Sequence, residues 1–240
     1  MRIEIKQLCG CWRTEFGMIQ VRGISFSFKK GRPIFAGLNL EASPGEFLVL
    51  TGHSGSGKTT LLRLLQMEIF PEEGEVNVAG HSSKNINSKK LVSLRRSIGV
   101  IFQDFRLINS MTTSENVALT LKVTGVSQKW LAERVLRTMG EIGIANLAHF
   151  YPEELSGGEK QKVAIARAII GKPLLLLADE PTGSLDPEAS RGIIGLLRKI
   201  NIGGTTVLLA SHSVSLFEGD RYRILKINNG LLAAHRDNGG

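Results

Sequence analysis

The stretch F-L-V-L-T-G-H-S-G-S-G-K-T-T-L-L, Phe47 to Leu62, decides the fold class. Its first five residues are an apolar run of strand length, and from Leu61 onward the spacing Leu61, Leu62, Leu64, Leu65 is that of a helix. Between them, Gly52 to Thr59 satisfy every fixed position of the pattern G-x-x-x-x-G-K-[ST]. Strand, glycine loop and helix, in that order, are the context in which this pattern holds a triphosphate. Gly52, Gly55 and Gly57 have no Cβ, so the backbone can curl and turn its N–H groups toward phosphate oxygens. The helix start near Lys58 adds a positive end. Lys58 is expected to reach the β- and γ-phosphates, and the Thr59 hydroxyl to ligate Mg²⁺. His53, Ser54, Ser56 and Thr60 belong to the same loop and count with it as nucleotide-binding candidates.

A second apolar run, Leu174–Leu177 with Ala178, ends in Asp179 and Glu180. An uninterrupted apolar run fits a strand buried on both faces, and ligands of open parallel sheets bind beyond the carboxyl ends of such strands. Asp179 therefore suits Mg²⁺ coordination, and Glu180 suits a general base that polarises the attacking water. Between the two runs lies L-S-G-G-E, Leu155 to Glu159. Ser156 is a good helix N-cap, and Gly157 and Gly158 leave bare amides at the helix start, which together form an anion site. The helix should run on through Val163, Ile165, Ala166, Ile169 and Ile170.

Composition narrows the class further. With 240 residues and 42% hydrophobic content, the chain can build one large soluble domain or two small ones. The longest clean apolar run, Leu174–Ala178, is far short of the roughly 18–20 residues that span a bilayer. Arg2, Glu4 and Lys6 precede no apolar central region, so a secretory signal is not expected and the chain reads as cytoplasmic. Cys9 and Cys11 have no further ligands nearby and read as reduced thiols rather than a zinc site. The formal charge of +8 comes from scattered residues, among them Lys29, Lys30, Arg32, Lys89, Lys90, Arg95, Arg96, Arg221 and Arg223. A solvated surface explains it first and an anionic membrane leaflet second; no DNA or RNA recognition motif is present.

Along the chain there are no repeats. Pro71–Gly80 reads as a hairpin turning at Glu73–Gly74. From about Asp104 to Leu155 the pattern is helical, with Trp130, Leu131, Val135, Leu136 and Met139 at helix spacing. Leu174–Asp179 and Thr205–Ser211, each beside a helical stretch, imply a parallel sheet with crossover helices, an α/β fold.

Gly52–Thr59, the strand ending in Asp179 and Glu180, and L-S-G-G-E together resemble the ATP-binding-cassette ATPases, from roughly Met18 to Leu232. The resemblance implies a P-loop NTPase (RecA-like) core of parallel strands with an antiparallel β subdomain and an α-helical subdomain at about 104–155. Residues 1–17 then read as an extension before an ATPase domain at 18–232, with a flexible tail at 233–240. It also implies ATP and Mg²⁺ as ligands. Gln103 resembles the glutamine that senses Mg²⁺ and the membrane partner, and Ser184-Leu185-Asp186 the loop that follows the acidic strand. His212 resembles the histidine that contacts the γ-phosphate, and Phe28 the aromatic that stacks on adenine, where tyrosine is more usual. Ser156, Gly157 and Gly158 would meet the γ-phosphate held by a second copy, in an ATP-dependent head-to-tail homodimer. Glu159 stands where glutamine is more usual, which should be tolerated because the contacts lie on Ser156 and the glycine amides.

A narrower resemblance is to the cell-division members of the family. It rests on I-G-V-I-F-Q-D-F-R-L-I, L-L-A-D-E-P-T-G-S-L-D, His53 and Asp104; Ser184 and Lys162 depart from it, where asparagine and arginine are more familiar. This implies a peripheral subunit at the cytoplasmic face of the inner membrane, bound to a membrane protein and controlling peptidoglycan hydrolases. Phe105, Leu107 and Ile108 either supply apolar contact for that partner or pack inside the helical lobe. The alternative is the ATPase of a lipoprotein-release or macrolide-export transporter. A soluble repair member would carry a long coiled coil before L-S-G-G-E, and a translation member would carry two cassettes; neither is present.

Overall fold

Three strands with no polar face form the centre of the molecule. In the computed structural model, β3 (Phe47–Thr51), β7 (Leu175–Asp179) and β8 (Thr206–Ala210) are buried at every residue except Asp179, which is half-buried. Such strands are stable only when both sheet faces are covered. Alternate residues serve the two faces: Phe47, Val49, Leu176, Ala178, Val207 and Leu209 enter one apolar core, and Leu48, Leu50, Leu175, Leu177, Leu208 and Ala210 the other. The structure describes residues 17–29, 33–217, 222–228 and 230–234. The expectations for residues 1–16 with Cys9 and Cys11, for Lys30, Arg32 and Arg221, and for the tail at 235–240 fall outside these.

The chain order is β1 (Ile19–Ser27), β2 (Pro33–Ala42), β3, α1 (Lys58–Leu65), β4 (Glu73–Val78), β5 (His81–Ser82), α2 (Ser88–Ser97), β6 (Ile98–Ile101), α3 (Thr113–Val123), α4 (Gln128–Ile142), α5 (Gly157–Ile169), β7, α6 (Pro187–Ile202), β8, β9 (Arg223–Asn228) and β10 (Leu231–Ala234). One sheet has the order β10-β9-β3-β8-β7-β6, and the second, antiparallel sheet is β2-β1-β4-β5. In the first sheet β9, β3, β8, β7 and β6 are parallel, and β10 pairs antiparallel with β9. The second sheet and α1 cover one face of it; α3, α4, α5 and α6 cover the other.

Register places the site. Leu50 and Asp179 both align with Ala210, and Ile101 aligns with Ala178. The strands therefore end level, and the segments after β3, β6, β7 and β8 leave the sheet at one edge, where open parallel sheets bind ligands.

Three local expectations change. The hairpin turns at Ala79–Gly80, not Glu73–Gly74; Ala79 and Gly80 both have positive φ, 49° and 77°, as a two-residue hairpin turn requires, and Glu73 and Gly74 open β4. The helical pattern does not start at Asp104. Phe105 and Arg106 take left-handed backbone angles that interrupt a helix, and α3 begins at Thr113 behind a capping box of Thr112 and Glu115. Of the five residues noted at helix spacing on α4, Leu131, Val135 and Met139 face the core, while Trp130 and Leu136 are exposed. Leu107 packs against the helical core, Phe105 is half-buried and Ile108 is exposed.

At Gly99 on β6 helix and sheet approach closely. A Cβ there would sit 2.6 Å from the Ala168 carbonyl oxygen of α5. We expect Gly99→Ala to cost about 1–3 kcal/mol through forced separation of α5 from the sheet. That lowers the melting temperature by about 2–10 °C. An unchanged melt would show that α5 yields freely at this point.

Candidate active site

The sheet edge opens into a cleft of about 750 Å³. Ser54, Gly55, Gly57, Lys58, Thr59 and Thr60 line it from the glycine loop and α1, Gln103 from the segment after β6, Glu180 from beyond β7, and His212 from beyond β8. Phe28 and Ile34 close the side toward the antiparallel sheet. Ile34 was not expected from sequence; it lies on the strand that begins after the undescribed 30–32 segment. Phe28 leaves its ring largely exposed, its orientation fixed edge-on against Phe26 at a centroid distance of 5.0 Å. An exposed, oriented aromatic face is suited to stacking a planar base.

Glycine is required in the loop for two reasons. Gly57, at φ 106°, passes so close to Ile34 and Phe35 that a Cβ would lie 2.9 Å from both side chains. Gly52 is similarly packed, with the Ser56 hydroxyl 2.5 Å from where a Cβ would sit. Ser56 is buried beneath the loop and does not line the cleft. His53 is exposed, with Nδ1 2.8 Å from the Ser54 carbonyl oxygen.

The buried Lys58 is the electrostatic centre. Its Nζ donates to the carbonyl oxygens of Gly52 at 2.9 Å and His53 at 3.3 Å, and pairs with Glu180 Oε1 at 3.4 Å. The other carboxylate oxygen of Glu180 accepts from His212 Nδ1 at 2.7 Å and from the His212 backbone N–H at 3.2 Å. Lys58, Glu180 and His212 thus form a continuous polar chain from β3 through β7 to β8. Gln103 lies beside Gly183, where a Cβ would be 3.4 Å from Gln103 Nε2.

Asp179 meets the requirements of a metal ligand. Its Oδ1 is buried with no hydrogen-bond partner, while its side chain bonds Thr59. Burial raises its pKa above the usual carboxylate value, and the neighbouring Glu180 charge acts the same way; the Thr59 hydrogen bond, Lys58 and Arg106 oppose them. A buried carboxylate oxygen without a partner, beside a threonine hydroxyl, is a hard oxygen donor set of the kind that takes Mg²⁺ with phosphates and water. Asp179 and Thr59 therefore fit the ion.

Ser156, Gly157, Gly158 and Asp186 do not line this cleft. Ser156 caps α5 in a capping box: Glu159 Oε2 accepts from the Ser156 backbone N–H at 2.9 Å and from its hydroxyl at 2.7 Å. These hydrogen bonds hold the Glu159 carboxyl below its usual pKa. The spacing S-x-x-E carries this signal in the sequence, so Glu159 is a structural partner of Ser156 as well as a substitute for glutamine. Asp186 caps α6 by accepting from Ala189 N–H at 2.8 Å. Leu185, one residue before, meets the start of α5, its Cδ2 3.2 Å from where a Cβ of Gly157 would be. Two further residues that sequence reasoning missed, Asn116 and Arg167, hold the segment after Gln103.

The family model described as ABC transporter matches residues 35–183, and the chain belongs to that family of ATP-binding-cassette ATPases. Its curated relatives are more specific. The cell division ATP-binding protein FtsE of Escherichia coli K12 is 40% identical over 215 residues, 90% of this chain and 97% of that protein. FtsE of Mycobacterium tuberculosis is 41% identical over 223 residues, 92% and 97% of the two chains, and FtsE of Streptococcus pneumoniae D39 is 38% identical over 222 residues, 92% and 96%. Among solved structures, the dimeric post-hydrolysis state of the ATP-binding cassette MJ0796 bound to ADP and Pi superposes with a TM-score of 0.80 at 32% identity, covering 91% of this chain and 99% of that one. A second dimeric structure of MJ0796, described as a bacterial ABC transporter cassette, gives 0.81 at 33% identity with the same coverage.

The Asp179 environment predicts a conflict between stability and function. Its folded pKa is raised, so the ionised form is disfavoured by folding. That cost is fully present above the folded pKa and absent below the unfolded value near 3.8. Asp179→Asn should therefore raise the melting temperature of the ligand-free protein at pH 7, the gain fading as pH falls through the raised pKa. The same variant should lose about 100-fold or more of Mg²⁺-dependent turnover. Thermal melts from pH 4 to 8 with parallel ATPase assays test both; no gain at pH 7 would mean that burial does not govern this carboxyl.

Proposed function

We propose that this chain is the ATP-hydrolysing subunit of an FtsE–FtsX-type complex: it binds the cytoplasmic face of the bacterial inner membrane through an FtsX-like protein and couples ATP turnover to control of peptidoglycan hydrolases in cell division. The observation that carries the reading is the cleft. It gathers the glycine loop, Gln103, Glu180 and His212 at one sheet edge, in a chain about 40% identical to FtsE proteins over nine-tenths of its length. The described residues contain no helix long and apolar enough to cross a membrane.

The residues divide the work of hydrolysis. Phe28 stacks the adenine. The amides of Ser54 to Thr60 and the Lys58 ammonium bind the β- and γ-phosphates, for which Lys58 is already held at the loop by the Gly52 and His53 carbonyls. Thr59 and Asp179, with Gln103, would hold Mg²⁺, which would supply positive charge to offset that developing on the phosphate oxygens. Glu180 accepts the proton of the water that attacks the γ-phosphorus as the bond to the β-phosphate oxygen breaks, giving ADP and phosphate. His212 donates to the Glu180 carboxylate and fixes its orientation. Ser156, Gly157 and Gly158 lie off their own cleft and serve the nucleotide of a second copy, so that two chains share two nucleotides head to tail. Asp186 lies in the loop that joins the two devices, capping α6 next to Leu185.

Glu180→Gln should bind ATP, lose at least about 100-fold in turnover, and elute as a dimer in ATP during size-exclusion chromatography; hydrolysis at the parent rate would remove Glu180 as the base. Lys58→Ala should lose ATP binding, and unchanged affinity would overturn its role. Affinity purification of the Glu180→Gln variant from membranes in ATP, followed by mass spectrometry, tests the partner. Recovery of a four-span, FtsX-like protein supports the reading. Recovery of a lipoprotein-release or drug-export permease replaces it with transport.

A further inference from the structure

The segment from Phe102 to Thr112 joins Gln103 in the cleft to α3, and it is held in an unusual way. Phe105 and Arg106 both adopt left-handed backbone angles, φ 58° and 47°, which cost free energy in non-glycine residues. Something must maintain them. On one side the Arg106 guanidinium stacks over the Phe102 ring at 3.9 Å. On the other, Arg167 reaches across from α5: its Nη1 donates to the Arg106 carbonyl oxygen at 2.5 Å and its Nη2 to the Phe105 carbonyl oxygen at 2.7 Å. Further along, the fully buried Asn116 accepts from the Ile108 N–H at 2.8 Å and donates among the carbonyls of Ile108, Met111 and Thr112.

At this contact the Arg167 fork meets carbonyl oxygens. Burial disfavours its protonated form and Arg106 adds to that, while the Asp104 carboxylate opposes them. The two carbonyls are what hold it, each met by a different nitrogen of one planar, preorganised fork. The residue also has a telling place in the chain. It belongs to the helix that Ser156 and Gly157 begin, and ten residues at the α-helical rise set it about 15 Å from Gly157. Thr120 Oγ1 on α3 donates to the Arg167 backbone carbonyl at 2.9 Å, fixing α5 against the helical lobe at the same level.

We propose that Arg167 is a positioning residue for hydrolysis: it couples the signature helix to the segment bearing Gln103, so that the two nucleotide contacts of one chain move together. This rests on the reading that Ser156–Gly158 meets the second copy's nucleotide while Gln103 attends its own. A displacement of α5 on dimer closure is then transmitted through a rigid two-bond link to the cleft rather than absorbed by a flexible loop.

The test is a mutant cycle on the full chain, with kcat and KM for ATP measured for the parent, Arg167→Lys, Gln103→Ala and the double variant. Lysine keeps the charge but replaces the two fixed nitrogens of the fork with one rotatable ammonium. Arg167→Lys should lower kcat about tenfold with KM and ATP affinity within about twofold, because the glycine loop and Phe28 are untouched. In the Gln103→Ala background it should add nothing, since it acts through that glutamine. Thr120→Val, which removes a hydrogen bond to the same residue but not the fork, should leave kcat within twofold. Arg167→Gln, retaining one planar donor, is read in the same way if the lysine variant does not fold. A kcat within twofold of the parent for Arg167→Lys, or a double variant whose loss is the product of the single losses, overturns the positioning role alone. A parent chain without ATPase activity overturns the functional reading and this proposal with it.

Discussion

A buried ammonium group holds the working end of this molecule together. Lys58 draws the Gly52 and His53 carbonyls inward and pairs with Glu180. Removing a cation from water is unfavourable unless it is solvated by the protein, and these three acceptors provide that solvation. The glycines matter because a Cβ at Gly52 would meet the Ser56 hydroxyl and one at Gly57 would meet Ile34 and Phe35, so the loop could not curl onto its own lysine as it does. Glu180 is then fixed by its ion pair with Lys58, and His212 by its hydrogen bond to Glu180.

This arrangement needs strands that end level, and the level ends follow from composition. Because β3, β7 and β8 are apolar at nearly every residue, each is driven to the middle of the sheet with both faces covered. The polar residue that follows each run must then lie at the edge, where water and ligand can reach it. The two apolar cores, on opposite faces, carry the two appendages: the antiparallel sheet that presents Phe28 and the helices that present Ser156. One sheet thus sets the geometry of the proposed base-stacking surface and of the proposed phosphate contact with another copy.

The central sheet and most of the residues that line the cleft could be read from the sequence because their signals are local. Phe47–Thr51 is a strand with the bounds its apolar run gives, and α1 and α5 start at the lysine and glycine positions expected of them. What escaped depends on distant partners. Glu73–Gly74 looked like a turn, but glycine is there because the strand passes against the backbone of Arg22 and Gly23. The segment after Gln103 looked helical, and it is held open by Arg167 and Asn116, which are 62 residues from Phe105 and 8 from Ile108. Trp130 and Leu136 have the hydrophobicity of core residues but fall on the outer side of α4. The polar chain from Lys58 to His212 has no linear signature, since its members are brought together by strand order alone.

Glu180 has φ 46°, in the region that glycine and asparagine tolerate best. The residue proposed to take the proton is thus also one whose backbone is strained. Glycine would relieve that strain, but it would delete the base and leave the buried Lys58 without its carboxylate partner. Stability-guided redesign of this chain should therefore leave position 180 alone.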